Sequence, residues 1–190
     1  MMDGMTMMPI EVPADAVAVV QFWKAAGPER WFAKDDAFDR DFRERFLALH
    51  ERAARGELVH WLESGTAALA LILLLDQFPR NAFRGTARMY ATDPLGVSYA
   101  NRAIARGYDR QVEPELQLFF YLPLSHSECL ADQERCVALH ERFGPELSKH
   151  AIEHADIVRR FGRFPHRNAI LGRPSSEAEL AFLREGGFAG

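Results

Sequence analysis

The residues of this sequence that could do chemistry fall into four groups. Asp76, Arg80, Asn81 and Arg84 lie in LDQFPRNAFRG, Leu75 to Gly85. Guanidinium groups are rigid forked donors suited to a carboxylate or phosphate, and an asparagine amide between them could orient it. At a helix C-terminus the same arginines could instead serve the free carbonyls found there. Arg160, Arg163, His166, Arg167 and Asn168 form a second group around FGRFPHRN, Phe161 to Asn168, which repeats the aromatic–proline step followed by arginine and asparagine. Gly162 and Pro165 fix the backbone there, so the side chains could be aimed at an anion or locked in a polar network between helices.

The third group is His126 and Glu128, two residues apart in the segment SHSE. An imidazole and a carboxylate at that spacing could trade a proton or both bind a metal; Ser127 and Glu128 could equally cap the following helix. The HxE element is shared with zinc deaminases, but the cysteine pair that completes their site is missing. The fourth group, His150, Glu153 and His154, has the HxxEH arrangement of inverted zinc proteases. Three fixed positions in five recur by chance, so no metal or other cofactor is expected, and His154 is retained as a pocket residue.

The elements that must position these groups read as helices. Apolar residues recur at helical spacing in Pro13 to Ala26 and at Phe38, Phe42, Phe46 and Leu49. Thr66 is expected to cap an apolar helix ending near Gln77, where Pro79 should stop it and push Phe78 toward an extended conformation. Further helices are expected from Asp93-Pro94 to Gly107, from about Cys129 to Phe143, from Glu146 to Phe161, and after Ser176-x-x-Glu179, which has capping-box form. No run alternates like a strand. The expected fold is all-α: one domain over residues 1–190, fraying over residues 1–12, with about eight or nine helices in antiparallel pairs stacked into a tetratricopeptide-like superhelix. Tyr90, Trp23, Trp31 and Trp61 are assigned to its core.

Composition bounds the function. A chain of 190 residues, 48% hydrophobic and 26% charged, can bury a sizeable core. A net charge of −4 argues against nucleic-acid binding. The apolar run Ala67 to Leu75 is far too short to span a bilayer. Cys129 and Cys136 are the only cysteines. They are too far apart along one helix for a disulfide and are read as small buried residues, which together with the absence of a secretory pattern points to the cytoplasm.

Taken together, WFAKDDAFDRDFRERF, LALILLLDQFPRNAFRGTARMYATD, YLPLSHSE, LADQE and FGRFPHRNAILGR resemble the bacterial family called domain of unknown function 924. The likeness runs from about Phe22 to Phe188 and implies a tetratricopeptide-like helical fold with no established reaction.

The leading functional expectation is a concave polar pocket holding an anionic small molecule or acidic peptide on Arg80, Arg84, Arg163 and Arg167, assisted by Asn81, Asn168 and His166. The rival is a hydrolase or lyase built on His126, Glu128, His154 and His166; a third is an interaction scaffold whose polar groups are structural. If the two Pro-Arg-Asn blocks meet, Asp76 should be the acidic partner of Arg160, Arg163 or Arg167.

Overall fold

A computed structural model describes residues 11–188. Among them every regular element is helical: α1 (Ala14–Ala26), α2 (Pro28–Trp31), α3 (Asp36–Ala54), α4 (Gly65–Leu75), α5 (Gln77–Ala82), α6 (Asp93–Ala105), α7 (Leu122–Ser125), α8 (Leu130–His140), α9 (Pro145–Phe161) and α10 (Glu177–Arg184), with short 3₁₀ turns between them. The count exceeds eight or nine because α2 and α7, each four residues long, follow turns rather than an apolar period. The expected fraying of residues 1–12 falls almost wholly outside the described residues.

α4 is the axis. Ala67 to Leu75 are all buried, and α1, α3 and α6 pack around them. A helix apolar on every side needs such enclosure. Each fully buried leucine or isoleucine contributes roughly 1.5–3 kcal/mol. The first layer is aromatic: the Phe42 ring contacts both Trp23 and Phe78, and Trp23 and Trp31 stand edge-on to Phe119.

The cap of α4 is Ser64, whose Oγ accepts from Ala67 N, rather than Thr66. Pro79 does not end the helical path either. α4 stops at Leu75, Asp76 makes the break with φ −115° and ψ −58°, and Pro79 sits in the first turn of α5, where a missing N–H costs least. Phe78 is therefore helical and fully buried. Pro79 also denies a donor to the carbonyl four residues back, Leu75. Side chains make up the loss: Thr92 Oγ1 donates to Leu75 O at 2.6 Å, His50 Nδ1 contacts Leu74 O at 2.8 Å, and Arg80 Nη1 donates to Asp76 O at 2.9 Å. The kink thus draws polar residues from α3, α5 and the start of α6 to one point.

α8 and α9 form a hairpin through Gly144, and Gly162 (φ 70°) ends α9 in the left-handed conformation that glycine adopts without strain. The capping box at Ser176 and Glu179 is formed as expected. Cys136 is buried, but Cys129 is exposed just before α8, so only one cysteine behaves as a core residue. No described helix is long and apolar enough to cross a membrane.

Candidate functional site

The α4–α5 break puts Asp76 inside the protein, 1% exposed. Burial alone would raise its pKa, but the Arg80 guanidinium beside it and the hydrogen bonds from His126 and Gln77 hold it down at about 2. His126 Nδ1 lies 2.7 Å from Asp76 Oδ1, and Gln77 Nε2 donates to Oδ2 at 2.7 Å. An ionised carboxylate only accepts, so Nδ1 carries the imidazole proton and Nε2 keeps its lone pair. Burial and then Arg80 lower the His126 pKa, outweighing Asp76, so the ring is neutral at neutral pH. Nε2 has no partner among the described residues and is not sealed from solvent.

Arg80 passes between two carboxylates. It donates bidentately to Asp93 at 2.8 and 3.0 Å and lies 3.3 Å from Asp76. Arg167 arrives from the second Pro-Arg-Asn block, donates to the same Asp93 at 3.3 Å and to His126 O at 2.9 Å, and stacks on Tyr90 and Phe164. The two blocks do meet, but the acid they share is Asp93. The expected direct contact from Asp76 to Arg160, Arg163 or Arg167 is absent, because Arg80 and His126 already occupy that carboxylate.

Glu128 turns away from His126. It takes a bidentate pair from Arg173 at 2.6 and 2.9 Å and the Phe164 N–H at 2.8 Å, and these hold its pKa down against burial. Arg173 also donates to Asn168 Oδ1, whose amide reaches Ser175. Arg163 is bound bidentately by Glu179 at 2.6 and 2.8 Å. Arg84 donates to Asp39 at 3.0 and 3.2 Å and to Asn81 Oδ1, while Asn81 Nδ2 donates to Gln77 O. Arg160 lies over Phe161 and Phe182, next to α10. The arginines singled out for an anion, other than Arg160, are therefore largely engaged by internal carboxylates.

Two cavities flank His126. The larger, about 530 Å³, is lined by polar groups that include Gln77, Arg80, Asn81, Arg84 and His126. Trp31, Phe32, Leu118, Leu122 and Phe188 supply apolar wall, and His154 also borders it. The second, about 480 Å³, is lined by Tyr90, Asp93, Glu128, Asp132 and Arg167. His154 donates Nδ1–H to His150 O, one turn back. Burial first, then neighbouring cations, takes its pKa to about 4. His166 is also at about 4, from burial and then Arg167; its buried Nδ1 has no partner, and its ring stands edge-on to Phe188. His150 also borders the cavity, but it is 71% exposed and lies 3.7 Å from Glu153 on the helix surface. No group of three or more metal-ligating side chains comes together among the described residues.

Residues 19–187 match the family described as bacterial protein of unknown function (DUF924). The chain belongs to this family. Among solved structures, the protein of unknown function ATU0120 from Agrobacterium tumefaciens is 55% identical and superposes with a TM-score of 0.90, over 93% of this chain and all of that one. A comparison with curated proteins finds no match.

For this DUF924 chain, sequence reasoning overlooked Asp93 as an ion partner. Its Asp-Pro step signalled only a helix start, although that carboxylate joins the two arginine blocks. Tyr90 is half-buried under two guanidiniums rather than in the core. Trp31 is buried as expected yet borders the larger cavity, and Phe188 carried no sequence signal at all.

Proposed function

We propose that this protein transfers protons to or from a small organic molecule in the larger cavity, as a hydrolase or lyase in which His126 is the general base. The observation that carries this reading is the buried Asp76–His126 contact at 2.7 Å beneath a cavity of about 530 Å³. A fixed carboxylate sets the tautomer and orientation of the ring and stabilises the imidazolium formed when Nε2 takes a proton. Arg80, beside the pair, supplies positive charge for an oxygen that becomes anionic in the same step. Asp76 replaces Glu128 as the acidic partner foreseen for His126, and His154 and His166 are wall residues rather than bases. Anion capture with no chemistry to follow is the weaker reading, because most of the arginine donors are taken by Asp93, Asp39 and Glu179.

The test is a panel of small esters, amides and hydroxy acids assayed with wild type, His126→Gln and Asp76→Asn. Loss of the base should reduce kcat/KM by roughly 10²–10⁴-fold. Imidazole NMR gives a readout independent of substrate: Asp76→Asn should lower the His126 pKa, since the carboxylate raises it. An unchanged titration, or turnover indifferent to His126→Gln, would rule the reading out.

A further inference from the structure

We infer that the molecule this cavity accepts is an amphipathic monocarboxylate: one acid group on an aromatic or alkyl body. The inference rests on the cavity assigned above and names its substrate class.

The cavity wall is of two unlike kinds, apolar and polar. In the apolar wall, Phe32 and Phe188 are 63% and 40% exposed, unusual for phenylalanine, and both border this one opening. Phe32 stacks on Phe119 at 6.2 Å with an interplanar angle of 16°, which uses one face of its ring. Phe188 is held 4.5 Å from the His154 ring. Gly187, just before it, donates its N–H to Phe182 O and comes so close that a Cβ there would lie 2.6 Å from that oxygen. The chain is thus shaped to bring an aromatic ring back over the opening. Solvent-facing rings that converge on one cavity gain by covering an apolar ligand body.

In the polar wall, no aspartate or glutamate borders the cavity, whereas Arg80 and Arg84 do. Their carboxylate partners lie behind them, which fixes the guanidiniums without exhausting them. Arg80 spends Nη1 and Nη2 on Asp93 and Asp76 and, among the described residues, leaves Nε unpaired and unsealed. Arg84 spends Nε and Nη2 and leaves Nη1. These remaining N–H groups suit one carboxylate. Because Asp93 and Asp39 offset much of the charge of the two cations, a singly charged carboxylate is tolerated better than a doubly charged phosphate. A volume of about 530 Å³ lies within the range of small-molecule sites.

Trp31 borders the cavity and reports its occupancy, whereas Trp23 and Trp61 are core residues. Tryptophan fluorescence should therefore respond saturably to 4-phenylbutanoate and decanoate in wild type, with calorimetry as the second measurement of affinity. The corresponding amides, and acetate, should bind at least about tenfold more weakly. Phe32→Ser alters an exposed ring, so its fold is safe; it and Phe188→Ser should each weaken decanoate about tenfold. His126→Gln should bind decanoate within about threefold of wild type, because the base is not the anchor. Acetate or the amides binding as tightly as the acids, indifference to both phenylalanine changes, or no binding by calorimetry would overturn the inference. Decanoate binding that persists while turnover ignores His126→Gln would overturn the catalytic reading alone and leave this one standing.

Discussion

Asp93 is the point at which the site can be broken with one atom exchanged. Asp93→Asn keeps the shape of the side chain but turns one acceptor oxygen into a donor, opposite Arg80 Nη1 and Nη2 at 2.8 and 3.0 Å and Arg167 Nη1 at 3.3 Å. The side chains of Arg80 and Arg167 are only 15% and 7% exposed. Both cations would remain inside with only Asp76 beside Arg80 and the more distant Glu128 near Arg167, and water could not replace the lost charge. Breaking a buried pair in this way costs about 3–5 kcal/mol. For a chain of this size each kcal/mol moves Tm by about 2–4 °C, so the midpoint should fall on the order of 10 °C. Urea unfolding at pH 7, followed by circular dichroism, gives the free energy directly. The cycle with Arg167→Met isolates the contact: Asp93→Asn should cost at least about 1 kcal/mol less once that guanidinium is gone. A loss below about 1 kcal/mol, the worth of an exposed ion pair, or strict additivity in the cycle would refute the idea that Asp93 joins the two blocks.

Acid should unfold the protein earlier than its carboxylates alone would. His154 and His166 are held at about 4, and burial also lowers His50, His126 and His140. The folded pKa lies below the unfolded 6.5, so the unfolded chain takes protons first. Stability from these groups is complete above pH 6.5 and declines as pH falls toward 4, by up to roughly 1 kcal/mol per pH unit for each fully protected ring. Denaturant midpoints that stay flat from pH 7 to 5 would contradict this. Glu128→Ala should free Arg173 and the Phe164 amide, costing about 1–3 kcal/mol and speeding hydrogen exchange at that N–H; unchanged exchange would show that the carboxylate does not hold the second block. Gly187→Ala should displace Phe188 from the His154 ring, so the His154 pKa should rise from about 4 toward its ordinary value; an identical NMR titration would show the tail is not held as described.

Local physics was legible in the sequence wherever a signal is local. The 3.6-residue period through Phe38, Phe42 and Phe46, the all-round apolarity of Ala67 to Leu75 and the capping box at Ser176 each name a helix or its end without reference to anything distant. The polar side chains that would matter were also visible by type: Asp76, Arg80, His126 and Arg167 stand out because charged and titratable groups beside apolar runs must find partners. Who partners whom was not legible. Pro79 could be read as a stop or as first-turn proline, and the choice depends on whether Thr92, a residue of another element, can reach the carbonyl that Pro79 leaves bare. Glu128 was the companion that spacing offered His126, and the kink between α4 and α5 puts Asp76 in its place by carrying it into the interior. Asp93 looked like a helix start because helix starts are short-range, while its pairing with Arg167 spans 74 positions along the chain. The sequence by itself determined an all-helical chain and the stock of charged groups it must satisfy. Only the tertiary structure decided that most of those charges cancel one another and that Asp76 holds the His126 imidazole beside a cavity, because electrostatic pairing depends on distances that only the folded packing sets.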